Sequence, residues 1–381
     1  MNDRPPGLAV EPLSRATATI DLDALARNYR LLTDRLGGRR PAAMVKADGY
    51  GLGAAPVSRR LRVEGCTRFF VARLDEGIEL REALPEAEIC VLDGPLPGTE
   101  GELLGAGLVP VLNGLDQVER WRHTAAAAGR ALPAALHFDT GMRRLGIPAG
   151  EAETLAARPD LLQGLDIRHV MSHLASADVA GSPQSAGQLE LFRAIRARFP
   201  DGLASLANSA GIFLDPAYHF DLARPGIALY GGSPHPGDDR PNPMEPVLTL
   251  EAPVLQVQRV EAGQPVGYGA THVPERTTRL ATLPVGYADG ILRSASNRGE
   301  AAIGDDRAPI VGRISMDLVI LDVGHLPEGA VRPGTVVELI GGRCLVDDVA
   351  ARAGTIANEL LTGLSRRYRR RYLGGGGEAG G

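Results

Sequence analysis

PAAMVKADGYGLGAAPV, Pro41 to Val57, is the stretch on which the fold turns. Ala42 to Val45 is a short apolar run, Lys46 closes it, and a turn containing Gly49, Gly51 and Gly53 follows. An apolar run bounded by such a turn reads as a buried strand. A cation at the end of that strand has three readings. It is a strand-end lysine whose stem lies along apolar surface, or a lysine that attacks a carbonyl. The third is a neighbour of a dinucleotide loop, which the glycines partly mimic, although G-x-G-x-G lacks the full fingerprint.

Working outward, similar runs recur: AAMVKA, RFFVAR, EICVLD, LVPVLN, AALHFD, IRHVMSH, LASLANS and ARPGIALYG, each followed by a segment of helical periodicity. Eight strands alternating with helices predict a (β/α)8 barrel of roughly 200 to 250 residues. A doubly wound open sheet is the rival, disfavoured because the strand count closes a barrel and polar residues collect at the strand ends. Lys46 closes the first candidate, Asp139 and Arg144 follow the fifth, His173 closes the sixth, Ser209 the seventh, and Arg224 sits in the eighth. The run SPHPGDDRPNPMEP reads as a linker. Beyond it, VLTLEAPVLQVQRV, TTRLATLPVG, APIVGRISMDLVILDV and TVVELIG predict a mostly β domain closed by one amphipathic helix near DDVAARAGTIANELL. The expected architecture is a barrel over residues 1–243, a smaller β domain over 244–375 and a flexible tail over 376–381. The first dozen residues precede the barrel pattern and can pack on either domain.

Composition narrows the function classes. With 41 Lys+Arg against 46 Asp+Glu the chain carries a formal charge of −5, which offers no general attraction to nucleic acid or to an anionic membrane. Cys66, Cys90 and Cys344 are too scattered for disulfide or metal-ligand spacing, so a reducing compartment and no metal are expected. The opening MNDRPPGLAV lacks the basic start and apolar run of a signal peptide, and no run is long enough to span a bilayer. The expected location is the cytoplasm. The basic run LSRRYRRRY reads as a solvated end.

LANSAGIF and LARPGIALYGG occupy the corner of a barrel that commonly binds phosphate. Ser209 supplies a hydroxyl there, and Gly226 and Ile227 offer backbone N–H groups. With Lys46 at the first strand, its pKa lowered by partial burial, the pair suggests a phosphorylated carbonyl cofactor.

At this point the motifs resemble those of the alanine racemase family. MVKADGYGLG, HFDTGMRRLG, MSHLASAD, ANSAG, ARPGIALYG, VGYGATH, LPVGYADG and GRISMDLVILDV carry the resemblance, in order, from about Ile20 to about Tyr372. It implies a barrel with a C-terminal β domain, pyridoxal 5'-phosphate as cofactor, and a homodimer with shared active sites. Lys46 then corresponds to the lysine that binds the cofactor, and Tyr50, Ser209, Gly226 and Ile227 to its phosphate contacts. His173 corresponds to the histidine beside the pyridine ring, Arg224 to the arginine on the pyridine nitrogen, and Arg144 to the arginine for the substrate carboxylate. Tyr268 matches the second catalytic base, Met316 with Asp317 the substrate-binding corner, and Tyr287 a tyrosine that narrows the entrance. The resemblance places Tyr268 and Met316 in the partner subunit's site.

The implied reaction is two-base racemisation of alanine on the cofactor aldimine, supplying D-alanine for peptidoglycan. A free tyrosine, with a reference pKa of about 10, is a weak base at neutral pH. A hydrogen bond from His173, polarised in turn by Arg224, is the expected remedy. Two positions depart from the family pattern. His137 stands where many members have a carbamylated lysine, so Arg144 must be oriented otherwise, by Asp139 or a bound anion; alternatively His137 is a barrel-interior histidine. Asn358 stands where better-known members have a tyrosine, which predicts looser exclusion of serine. Two other functions stay open on sequence alone: a broad-specificity amino-acid racemase and a non-enzymatic pyridoxal-phosphate carrier.

Overall fold

The first described element is β1 (Thr17–Asp21), whose side chains alternate between half-buried and buried, the period of a strand with one face on a core. The computed structural model describes residues 16–237 and 240–374; the tail assigned to 376–381 lies outside the described residues. Two compact units result, one of Leu22–Glu245 and the other of residues 16–21 with Pro246–Leu373. The division after Glu245 falls two residues beyond the sequence-based boundary. β1 is a correction: grouped by sequence with the barrel, it is a strand of the β unit.

In the barrel unit, β2 (Ala43–Met44), β3 (Arg68–Val71), β4 (Glu88–Val91), β5 (Val109–Leu112), β6 (Leu132–His137), β7 (Leu165–Met171) and β8 (Leu203–Ser205) form a parallel sheet in sequential order. β5 is buried along its whole length, and β3 and β4 over their last three residues, because a parallel sheet is covered on both faces. Phe69 and Phe70 have no exposed surface. Burial of each contributes about 1.5–3 kcal/mol. The eighth predicted strand, ARPGIALYG, does not form a regular ladder; Ile227–Tyr230 is a 3-10 turn. The residues before it nevertheless close the ring. On one side Leu222 and Arg224 N–H donate to Ala204 O and Ala207 O, and on the other Ala42 and Met44 N–H donate to Ala223 O and Pro225 O. Pro225 lacks an N–H, which accounts for the broken ladder.

The β unit pairs β9 (Leu248–Pro253), β10 (Gln256–Val260), β11 (Thr278–Leu283), β12 (Glu300–Ile303), β13 (Asp306–Pro309), β14 (Val319–Asp322), β15 (Val336–Ile340) and β16 (Arg369–Leu373) into two sheets. A six-stranded sheet runs β13-β12-β15-β9-β1-β16 and a three-stranded one β10-β11-β14. β1 lies antiparallel to β9 and parallel to β16, Thr17 facing Arg369. LSRRYRRRY is therefore not merely a solvated end, since its last part is an edge strand, where charged side chains discourage further pairing. The single helix predicted near DDVAARAGTIANELL is two, Val346–Ala353 and Ala357–Thr362. Gly354, at φ +74°, ends the first.

Candidate active site

Lys46 leaves β2 half-buried. After it Ala47, Asp48, Gly49 and Tyr50 all take left-handed backbone angles, with φ of 54°, 53°, 61° and 54°. The glycines therefore explain only part of the bend, because three of these four residues carry a Cβ, at a cost of about 1–2 kcal/mol each. Gly49 is required for a second reason: a Cβ there would lie 3.1 Å from Ala54 backbone. The turn is closed by N–H donation from Gly49 to Val45 O at 2.9 Å, Gly51 to Ala47 O at 2.8 Å and Gly53 to Asp48 O at 2.8 Å. From outside, Glu76 Oε1 accepts the Ala47 N–H at 2.7 Å.

This turn places Tyr50 inward. Its ring stacks on Tyr230 with centroids 4.6 Å apart, and Tyr230 donates its hydroxyl to Met44 O at 2.9 Å. A Cβ on Gly226 would lie 2.1 Å from the Tyr50 hydroxyl oxygen, so only glycine fits. Burial pushes the Tyr50 phenol up to about 12, leaving it a donor. Ser209 Oγ accepts N–H from Gly226 at 2.9 Å and from Ala228 at 3.2 Å. With its lone pairs so engaged, the Ser209 proton is available to an acceptor. The Gly226 N–H therefore meets Ser209, a pairing the sequence does not show. Ile227 opens its 3-10 turn, and a first N–H has no acceptor within such a turn. Two hydroxyls and one N–H converge beside a missing Cβ, a donor set suited to a phosphate, and the amine of Lys46 ends the strand that pairs with this segment. These residues fit pyridoxal phosphate.

The remaining barrel residues gather at the same C-terminal rim. Burial lowers the Lys46 pKa and the Arg144 cation adds to this, against opposing carboxylates of Glu76 and Asp93. Arg224 is buried; burial brings its guanidinium down to about 10, so it stays charged at neutral pH. Its Nη1 donates to Ser205 Oγ and its Nη2 to Ser172 O at 2.6 Å. The expected hydrogen bond from Arg224 to His173 is not formed among the described residues. Burial, reinforced by Arg224 and Arg144, holds the His173 imidazole well below its ordinary value and hence neutral.

His137 ends β6. Asn113 donates through Nδ2 to Leu92 O at 2.9 Å and Val111 O at 3.0 Å, so its Oδ1 must accept from His137 Nδ1 at 2.8 Å. That fixes the tautomer with Nε2 as the unprotonated nitrogen. Burial depresses this imidazole to about 3, helped by Arg224 and Arg144. Asp139 Oδ1 accepts N–H from Gly141 at 2.8 Å and Arg143 at 3.0 Å, which shapes the loop that presents the exposed Arg144.

Sequence reading missed Glu76, Asn113, Ser172, Ser205 and Tyr230, whose partners lie on other strands. It also missed a buried group deeper in the barrel, Glu88, Cys90 and His169, in which Glu88 Oε1 and His169 Nε2 are 2.5 Å apart.

The other predicted residues belong to the β unit. Tyr268 opens the turn Tyr268–Ala270, beside Arg313, and is 70% exposed. Asn297 joins this turn to the next loop, donating to Thr271 Oγ1 at 3.1 Å and accepting Gly312 N–H at 2.6 Å. Tyr287 and Ala288 N–H donate to Ser315 O and Met316 O, both at 3.0 Å, which sets Tyr287 next to Met316. Asp317 accepts from Arg367 Nη1 at 2.8 Å, and Arg367 Nε lies 3.3 Å from buried Asp289. Asn358 is half-buried near the start of Ala357–Thr362.

A (β/α)8 barrel with a desolvated lysine on one strand end and an anion-binding corner on the same rim defines a class: barrel enzymes that hold a phosphorylated carbonyl cofactor on a lysine. The alanine racemase N-terminal domain matches residues 20–234, and the alanine racemase C-terminal domain matches residues 247–372. An alanine racemase of Rhodospirillum rubrum is 50% identical over 364 residues, covering 94% of this chain and 97% of its own length. A catabolic alanine racemase of Mesorhizobium japonicum is 49% identical over 369 residues, covering 96% of each. Among solved structures, alanine racemase from Bartonella henselae with covalently bound pyridoxal phosphate superposes with a TM-score of 0.90 at 39% identity, over 94% of this chain and 99% of that one. The chain belongs to the alanine racemase family, and is accordingly an amino-acid racemase dependent on pyridoxal phosphate.

Proposed function

We propose that this protein interconverts L- and D-alanine, with pyridoxal phosphate held at the barrel mouth and Lys46 and Tyr268 acting as bases on opposite faces of the substrate. The observation that carries the reading is the Lys46 amine, lowered in pKa by burial and set on the same rim as the donors of Tyr50, Ser209 and Ile227. When bound, pyridoxal phosphate draws electron density from the substrate Cα and makes its proton removable. Lys46 then receives or returns that proton at Nζ, and the Tyr268 hydroxyl does so on the other face. Arg224 has no acceptor and stays charged, so it can only donate toward the ring nitrogen, which favours racemisation over transamination. Arg144 binds the substrate carboxylate. His137, neutral, leaves Nε2 as an acceptor, and the Arg144 and Arg224 cations are near enough to help hold it neutral; in this reading it helps orient Arg144.

In this reading Tyr268, Met316 with Asp317, and Tyr287 complete the site of a partner subunit in a homodimer. The exposure of Tyr268, Tyr287 and Met316 on one rim of the β unit supports it. Residues 22–245 form the catalytic barrel, and the β unit is the domain that reaches across. The protein works in the cytoplasm, as the buried free cysteines favour, and supplies D-alanine for peptidoglycan. No helix among the described residues is long and apolar enough to cross a membrane. Incubation with L-alanine in deuterium oxide tests the reading: deuterium should enter Cα as optical rotation is lost. Absence of exchange would make the protein a cofactor carrier, and equal rates on many amino acids a broad-specificity racemase.

A further inference from the structure

We propose that Glu76 is a positioning residue for Lys46: its carboxylate fixes the left-handed turn beginning one residue after the lysine, and thereby sets where the Lys46 amine and the Tyr50 hydroxyl stand. The proposal rests on the reading of Lys46 as the residue that holds pyridoxal phosphate.

Glu76 is the third residue of the helix Leu74–Ala83, which follows β3. One of its oxygens serves its own helix start. Oε2 accepts N–H from Ala72 at 2.7 Å and from Arg73 at 3.3 Å, the reach-back by which a third-position glutamate caps a helix. The other oxygen does something a cap does not require. Oε1 accepts the Ala47 N–H at 2.7 Å, from the end of the neighbouring strand β2. A single carboxylate therefore ties two strand ends together immediately beside Lys46.

The tie falls where the backbone most needs one. Ala47, Asp48 and Tyr50 are left-handed without being glycine, and such angles persist only where surrounding contacts enforce them. The bonds inside the turn, from Gly49, Gly51 and Gly53, hold its later residues. Ala47 N–H is the first donor of the turn, and Glu76 supplies its acceptor. If that bond is lost, Ala47 can relax toward ordinary angles, which shifts the Lys46 amine relative to the Tyr50 hydroxyl. No single-element feature of RLDEG marks this, since the sequence pattern shows only a helix cap.

The test uses the holoenzyme and follows release of pyridoxal phosphate by its visible absorbance, together with the melting temperatures of apo- and holoprotein. Glu76→Ala is expected to release the cofactor about tenfold to a hundredfold faster, the range for an N–H left without its partner. The rise in Tm on cofactor binding should shrink with it. Glu76→Gln retains one accepting oxygen and should fall between Glu76→Ala and wild type, which keeps the proposal testable if the alanine variant does not fold. Asp75→Ala, in the same first turn and exposed, removes a charge without the tie and should release cofactor at the wild-type rate. A lower apo Tm with an unchanged release rate would reduce Glu76 to a helix cap and overturn the proposal, as would a Glu76→Gln rate equal to wild type alongside an unchanged Glu76→Ala. Failure of the underlying reading looks different: Lys46→Ala would then keep the visible absorbance.

Discussion

At the barrel mouth Arg224 is 3% exposed and Tyr50 is 7%, whereas on the rim of the β unit Tyr268 is 70% exposed and Met316 53%. Both barrel residues are already desolvated, and burial displaces their pKa values. The rim residues are joined to one another through backbone, by Tyr287 and Ala288 to Ser315 and Met316, while their side chains face outward. The difference teaches a division of labour. The barrel has the features needed to hold a charged cofactor without reorganisation, and the rim has those of a surface that gains its chemical environment when it is covered.

The largest effects should separate the two regions. Lys46→Ala should abolish the visible absorbance of bound cofactor and lower kcat about 10⁴-fold, whereas Tyr268→Phe should keep the absorbance and lose about 10²- to 10⁴-fold, unequally in the two directions. Spectra and racemisation rates measured together decide it; loss of absorbance in Tyr268→Phe would break the division. Next come two glycines without room for a Cβ. In the barrel, Gly226→Ala would press on the Tyr50 hydroxyl, and on the rim Gly286→Ala would press on Met316 O, at 2.3 Å. Overpacking of this kind costs about 1–3 kcal/mol. Gly226→Ala should weaken cofactor affinity roughly tenfold or more, and Gly286→Ala should raise KM for alanine with cofactor affinity unchanged. Cofactor titrations and steady-state kinetics on both variants check the contrast.

A smaller effect follows from His137. Its imidazole titrates at about 3 in the folded chain, pushed down mainly by burial, against about 6.5 when unfolded. Between those values the unfolded chain binds the extra proton, so stability is complete above about pH 6.5 and falls as the pH drops toward 3. His137→Gln should lose about 1–2 kcal/mol less than wild type between pH 7 and pH 5, measured by urea unfolding at both values. Equal losses would mean that the imidazole is not held neutral. Smallest is Asn358→Tyr, expected to raise the kcat/KM ratio of alanine over serine by about threefold, within the range of a modest pocket change. An unchanged ratio would remove Asn358 from the specificity-determining rim.

Much of this was legible because it is written locally. Most of the strands β2 to β8 announce themselves as short apolar runs, Lys46 and His137 stand at their ends, and Arg224 lies in the segment that closes the ring. Legibility failed where a partner lies far along the chain. β1 was grouped with the barrel because five alternating residues do not reveal that β9 and β16 flank them. ARPGIALYG was read as a regular strand because its apolar character is real, while its role in closing the barrel depends on carbonyls presented to β2. Nothing in the sequence shows that Ser209 Oγ accepts the Gly226 N–H.

The order and spacing of its motifs determined the barrel, the β domain and the family, because burial periodicity and strand-end chemistry are properties of short segments. Tertiary structure alone decided the left-handed turn after Lys46, the neutral tautomer of His137 and the direction in which Arg224 spends its hydrogen bonds. Each of these depends on an acceptor brought from a distant part of the chain: Glu76, Asn113, and Ser172 with Ser205. Local preference would send the backbone of Ala47 to Tyr50 the other way, and only contacts between segments hold it against that preference.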